Sequence, residues 1–309
     1  MFTGKEYVYE VYREKSFSMA AKKLYVTQPA LSNTVKRIEK KLGFPIFDRS
    51  VSPIQLTDAG KVYIDTIEQL LSIEENFQHF IDDTNNILTG NISIGGSATV
   101  ASYILPDLVS IYHARYPGIV LNVSETDVRD SQELLAKGEL DLVFESEDLG
   151  EELFDKRLFR TEHMLLAVPR SFIINESMKA FWMSYENIIS DKFLHEMYPA
   201  VDLKLFNHVP FVFQGENNTV FQKLITACKN SGLNPDQVLF MNQELSAFNM
   251  ACTGVGATFI SDTLIKHERP NPNIIYYKLP DEISLRQIWV YMKKKRYQSK
   301  SMKAFLDLL

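Results

Sequence analysis

Cysteine is nearly absent from this chain. Only Cys228 and Cys252 occur in 309 residues, far apart and with no CxxC spacing. A disulfide framework is thereby excluded, a thiol switch is unsupported, and two buried inert thiols are expected. The six histidines (His79, His113, His163, His195, His208, His267) show no metal-ligand spacing. No GxSxG, HExxH, P-loop or GxGxxG stands in the context its chemistry needs, and Gly254-Val255-Gly256 is too short and precedes a strand pattern. No metal, cofactor or catalytic residue is expected, and an enzyme is the weakest reading. Apolar runs of membrane-spanning length are also missing, and the N-terminus lacks a charged-then-apolar signal pattern. A cytoplasmic protein with no membrane partner is expected.

What is present is ordinary for a globular protein, with 45% hydrophobic and 23% charged residues. The length exceeds one compact core, so two or three domains are expected. Net charge is −6, but it is unevenly spread. Residues 1–57 hold 10 Lys+Arg against 5 Asp+Glu, whereas the remainder hold 23 against 34. A basic head on an acidic body favours nucleic acid as the partner of the head.

Within that head, residues 16–43 carry two short helical patterns separated by Tyr25-Val26. Thr27 has the chemistry of an N-cap, Pro29 is tolerated in a first turn, and Gly43 fits the position just past a helix end. Leu31, Val35, Ile38 and Leu42 form one apolar stripe. Gln28, Pro29, Ser32, Asn33, Lys36, Arg37 and Lys40 are left facing outward. Small hydrogen-bonding residues in the first turns, with cations behind them, suit a major groove. Taken alone, the same residues also fit an ordinary helical hairpin with solvated lysines. Tyr7, Val8, Val11 and Tyr12 predict a helix ahead of this pair, and Ile46–Asp48 and Ile54–Leu56 a small hairpin behind it. Three helices and a hairpin make a winged helix-turn-helix, with Arg49 at the wing.

From Thr57, a second N-cap candidate, a helix is predicted over Asp58–Asp83. Tyr63, Ile67, Leu70, Phe77 and Ile81 follow heptad spacing, interrupted by Glu74, which suits pairing with a second copy. An amphipathic helix lying on its own domain has the same pattern. Hinges are expected at Thr84-Asn85-Asn86 and Thr89-Gly90. Beyond Asn91 strands alternate with helices, implying parallel sheets. Strands are predicted at Asn91–Gly95, Ile119–Glu125 and Leu140–Glu145, then at Phe211–Gln214, Val238–Met241 and Ala257–Ile260. Returning strands are expected at Ile274–Lys278 and Gln287–Lys293.

The residues Ser16-Phe17-Ser18, Ala20-Ala21, Leu24, Gln28-Pro29-Ala30, Ser32, Glu39, Leu42-Gly43, Phe47, Arg49, Leu56-Thr57 and Ala59-Gly60 resemble the DNA-binding region of LysR-type transcriptional regulators. The resemblance implies that Gln28, Pro29, Ser32 and Asn33 face the major groove, and that Thr27, Lys36 and Arg49 lie near phosphates. Thr27 stands where serine is commoner, Ile38 where leucine is, and Asn33 at a position often basic or glutamine, so no operator sequence carries over. Leu135, Gly138, Leu140-Asp141-Leu142 and Gly254-Val255-Gly256-Ala257 are similar to the family's effector-binding half, though Ser261 replaces a common proline.

The implied architecture is α/β: a winged helix-turn-helix (1–60), a linker and dimerisation helix (58–88), and a two-lobed periplasmic-binding-protein-like effector domain (89–309). Lobe I would comprise about 89–165 and 270–309, and lobe II about 166–269. The implied function is effector-responsive regulation of transcription by a homodimer or tetramer bound to double-stranded DNA. A solute-binding module without DNA affinity is the alternative.

Ligands of open α/β sheets sit off strand carboxyl ends, against helix N-termini. That rule selects Gly95–Thr99, with glycines permitting close backbone approach, and then Glu125–Val128, Glu145-Ser146 and Gly215–Thr219. Candidate effector residues are Ser97, Ala98, Thr99, Val128, Glu145, Asn217, Asn218 and Thr219. The polar ones among them also fit a role as helix caps only. Helix N-termini favour an anionic group, yet Glu125, Glu145 and Glu147 crowd the same strand ends. An effector carrying both a carboxylate and a cation, such as an amino acid, is expected.

Overall fold

Val8 and Val11, three residues apart, set the inner face of α1 (Lys5–Glu14) in a computed structural model that describes residues 2–51, 53–84, 90–214, 219–235 and 238–309. The chain divides into two units, Met1–Asn86 and Ile87–Leu309. In the first, Ser16 Oγ accepts the Met19 N–H and starts α2 (Phe17–Lys23). Tyr25 takes a left-handed φ of 55° with its ring almost wholly exposed, which makes the break after α2. Thr27 Oγ1 accepts the Ala30 N–H and opens α3 (Gln28–Leu42), and Gly43 closes it at φ 84°. The wing is β1 (Phe47–Asp48) paired antiparallel with β2 (Gln55–Leu56). Thr57 Oγ1 then accepts the Gly60 N–H at the start of α4 (Asp58–Thr84).

Leu31, Val35 and Ile38 of α3 meet Val8, Val11, Ala20 and Ala21 in one core, together with Ile46 and Phe47. Tyr63, Ile64 and Ile67 of α4 complete that core. Here the heptad reading needs correction: Tyr63 and Ile67 are buried in their own unit and are withdrawn from any seam with a second copy. Heptad and own-core packing share the same spacing, so the sequence does not separate them. Glu74 does not idle in the seam but binds Lys5 Nζ at 2.8 Å. Farther along, Ile73, Phe77 and Phe80 are more than half exposed. The hinge residues at 85–89 lie outside the described residues.

The second unit starts with β3 (Gly90–Gly96) and crosses to α5 (Leu105–Arg115). A wide turn, Val100–Ile104, precedes α5, and Leu105 N donates five residues back to Val100 O. Pro106 has no N–H to continue the regular ladder, which accounts for this irregular turn. Then follow β4 (Ile119–Glu125), α6 (Val128–Lys137, capped by Asp127) and β5 (Leu142–Glu145), with β3 parallel to both β4 and β5.

The strand that joins the lobes, β6 (Phe154–Pro169), is sixteen residues long and has no counterpart in the sequence reading. Its sequence changes texture half-way, from mixed FDKRLFRTEH to apolar MLLAVP, because its two halves serve different sheets. The strands β7 (Phe211–Gln214) and β8 (Val238–Met241) form a parallel pair. Next come β9 (Thr258–Ser261), β10 (Ile274–Lys278) and β11 (Leu285–Lys293). The first half of β6 pairs with β11, which also pairs with β5, whereas the second half pairs with β9 and β10. Ile274–Lys278 therefore joins the second lobe, not the first as expected, and the chain crosses back only at β11. Trp182 is partly buried and donates Nε1–H to Asn175 O. Cys228 is buried and its thiol is pushed up to about 12, but Cys252 is only half-buried.

Candidate nucleic-acid interface and ligand cleft

With Leu31, Val35 and Ile38 turned inward, α3 presents the opposite edge. Gln28, Pro29, Asn33, Lys36, Arg37 and Lys40 are exposed and Ser32 is half-exposed. Lys36, Arg37 and Lys40 make no salt bridge with another described residue, so their charge is available to an incoming anion. Thr27 is exposed and spends its hydroxyl oxygen on the cap. Arg49, expected simply at the wing, is held in place from three sides. Its Nη2 lies 3.0 Å from Glu39 Oε2, its Nη1 donates to Ser32 Oγ at 3.2 Å, and its guanidinium sits 4.7 Å over the Phe17 ring. Ser32 keeps a hydroxyl proton to donate outward. A preset guanidinium thus stands beside the polar edge of α3.

The second unit encloses a cleft of about 890 Å³ at the carboxyl ends of β3, β4, β5, β7 and β8. Ser97, Ala98, Thr99, Val128 and Glu145, chosen by the strand-end rule, all line it. Asn217 and Asn218 lie outside the described residues, and Thr219 is described only as the first residue of the helix Thr219–Asn230. The two glycines before Ser97 have a different role from the one expected. A Cβ on Gly95 would meet Leu140 Cδ1 at 2.5 Å and one on Gly96 would meet Val100 Cγ1 at 2.7 Å. They let protein pack on protein; they do not clear a path for ligand.

The floor of the cleft holds residues that the strand-end rule missed. Arg286 on β11 pairs in register with Glu162 on β6, and its Nε donates to Glu162 Oε2 at 2.7 Å. Its Nη2 lies 3.7 Å from Glu244 Oε2. Burial works against the Arg286 charge, but the two carboxylates outweigh it and hold its pKa above the ordinary arginine value. Glu244 is buried and its carboxyl is pushed up by desolvation, although its Oε1 accepts the Ser261 N–H. Across the opening, Thr99 Oγ1 donates to Glu244 Oε2 and Gln243 Nε2 donates to Glu125 Oε1, both at 3.4 Å. Glu145, at the end of β5, is 4% exposed, and burial pushes its carboxyl up to about 7. Extending the strand-end rule to β8 would have reached Gln243 and Glu244. Arg286 and Glu162 meet only through strand pairing and carry no local signal.

Residues 5–61 match the family model described as the bacterial regulatory helix-turn-helix protein, lysR family, and residues 85–309 match the LysR substrate binding domain. The chain belongs to the LysR family of transcriptional regulators. Like other LysR-type regulators it joins a helix-turn-helix DNA-binding unit to an effector-binding unit. It is 28% identical to the uncharacterized HTH-type transcriptional regulator YcgK of Bacillus subtilis (strain 168), covering 98% of this chain and 92% of that one. The fold is shared with a full-length OxyR variant from Pseudomonas aeruginosa (TM-score 0.71, 19% identity, 98% and 92% of the two chains). It is shared also with full-length CbnR in complex with its target DNA (TM-score 0.63, 17% identity, 98% and 96%). Among the described residues no helix is long and apolar enough to cross a membrane, and no group of three or more His, Cys, Asp or Glu could hold a metal ion.

Proposed function

We propose that this LysR-type regulator reads its operator with Gln28, Pro29, Ser32 and Asn33 in the major groove, while Thr27, Lys36, Arg37 and Arg49 hold phosphates. The observation that carries the reading is the exposed polar edge of α3, where Lys36, Arg37 and Lys40 pair with no described carboxylate, beside an Arg49 held in place by Glu39. CbnR, with the same fold, was solved on its target DNA. A cytoplasmic protein that carries no catalysis of its own fits this role. The cleft lined by Ser97, Ala98, Thr99, Val128 and Glu145 takes the effector. Ligand bound across the cleft favours one arrangement of its two sides, which changes how units of neighbouring copies pack and how far apart two heads are held.

A footprint on DNA upstream of the gene and its neighbours tests the reading, run with and without the small-molecule fraction of an extract of cells carrying the gene. A protected site that lengthens, shortens or bends differently with the fraction is expected. The reading fails if the protein protects random DNA as well as upstream DNA at every salt concentration, since only phosphate attraction would then be acting. The alternative of a solute-binding module predicts no retention on DNA even at low salt.

A further inference from the structure

The charge lining the cleft is lopsided. Glu125, Asp127, Glu145, Glu147, Glu162 and Glu244 face it, against only Arg129 and Arg286 among the described residues. Arg286 is already committed to Glu162 at 2.7 Å and stands near Glu244. An anionic ligand on the floor of the cleft would have to displace a buried carboxylate from that guanidinium, which leaves Arg129 at the exposed edge as the other cation. Two carboxylate oxygens in the same lining are meanwhile left over. Glu145 Oε2 and Glu162 Oε1 are buried with no hydrogen-bond partner among the described residues. The other oxygen of Glu145 accepts the neighbouring Ser146 N–H at 2.9 Å, and the Glu147 backbone N–H also favours its charged form. A buried acceptor without a donor is costly, and a ligand that supplies the donor removes that cost.

We propose that the effector bears an ammonium or guanidinium group that docks on Glu145 Oε2, so that the ligand class is an organic amine, diamine or amino acid. The inference rests on the reading of this cleft as the effector site. A neutral carboxylic acid donates one hydrogen bond, but a cation is held far better by the carboxylate. Burial and the Glu147 charge favour the acid form of Glu145, whereas the Ser146 N–H and Arg286 favour the carboxylate. Glu125, Asp127, Glu162, Glu244 and Arg129 complete the charged surroundings from the other elements. Docking of the cation ionises the remaining acid form of Glu145, and the released proton passes to the buffer.

Calorimetry on the full chain at about pH 6, repeated in two buffers of different ionisation enthalpy, tests this. The probes are L-arginine and putrescine, set against benzoate and succinate. Binding of at least one cation, with buffer-dependent heat showing proton release, is expected. Glu145→Gln is expected to weaken that binding by about ten- to a hundredfold and to remove the buffer dependence. The proton count needs no variant, so it decides even if Glu145→Gln folds poorly. Binding of benzoate or succinate with neither cation binding overturns the inference and leaves the effector cleft standing. Cation binding that is indifferent to Glu145→Gln and releases no proton also overturns it. If none of the four binds while the extract fraction still alters the footprint, the inference falls but the cleft reading does not. If the extract fraction has no effect either, both fall.

Discussion

Glu39 Oε2 lies 3.0 Å from Arg49 Nη2, and this pair ties α3 to the wing. The other oxygen of Glu39 accepts the backbone N–H groups of Ile46 (2.9 Å) and Phe47 (3.2 Å). One carboxylate thus satisfies two amides at the start of β1 and orients the guanidinium that reaches Ser32. Glu39→Ala leaves two amides and a cation without their acceptor. It is expected to destabilise the first unit by roughly 2–4 kcal/mol and to blur the DNA footprint. Glu39→Gln keeps an amide acceptor and should cost less than half as much. Urea unfolding of the full chain, followed by hydrogen exchange at 46–47, measures both.

Among the described glycines, Gly60 leaves an added Cβ the least room. A Cβ there would stand 2.0 Å from Ile46 O and 2.9 Å from Ile46 C, both backbone atoms that cannot swing aside. Gly60→Ala is expected to cost about 3 kcal/mol or more, or to displace α4 from the wing. Gly43 provides the control. It has φ 84° and nothing within 4 Å of a Cβ, so Gly43→Ala should cost only about 1 kcal/mol, through backbone conformation alone. Equal losses at the two sites in thermal unfolding would refute this account of Gly60.

Much of the first unit can be read from sequence because its signals are local. Thr27 and Gly43 act within four residues of their own positions, as does Thr57 in capping α4, and Leu31, Val35 and Ile38 repeat at helical spacing. Tyr63 and Ile67 mislead because heptad packing on a partner and packing on one's own core look alike. Gly95 and Gly96 mislead because a glycine shows that something comes close without saying what. In the cleft, strand ends can be counted along the chain, and that count places Ser97, Thr99, Val128 and Glu145. Arg286 and Glu162 stand 124 residues apart and are neighbours only once β6 has been recognised.

The exposed edge of α3 divides into residues that should behave differently. Lys36→Ala is expected to weaken binding about equally on operator and random DNA, and to reduce the dependence of log affinity on log salt by about one. Gln28→Ala should instead lose roughly 1–3 kcal/mol of discrimination at particular base pairs while leaving the salt dependence alone. Titrations at several salt concentrations on operator and scrambled duplexes separate the two. Identical patterns would mean that the reading face is assigned wrongly.

Ile73, Phe77 and Phe80 leave an apolar stripe on the second half of α4, with the two phenyl rings stacked 6.4 Å apart. A patch of this kind suits a second copy of the same helix. Phe77→Glu is expected to shift the full chain towards the monomer in sedimentation equilibrium and to weaken binding to paired half-sites. Binding of one head to a single half-site should change little. An unchanged mass at micromolar concentration would place the dimer contact elsewhere.

The buried carboxyl of Glu145 gives a stability signature with a definite sign. Its value is raised from 4.5 in the unfolded chain to about 7 in the fold, chiefly by desolvation. A folded group that holds its proton more tightly contributes stability below pH 4.5, and that contribution is lost as pH rises to about 7. The difference corresponds to roughly 3 kcal/mol. Glu145→Gln keeps the shape and never ionises, so it should unfold at a higher denaturant concentration than the wild type at about pH 8. At about pH 4 the two should differ little. A stabilising amine in the cleft should close the gap at the higher pH by supplying the charge that Glu145 lacks. A gap that widens as the pH is lowered would show that the carboxylate already has a partner in the fold.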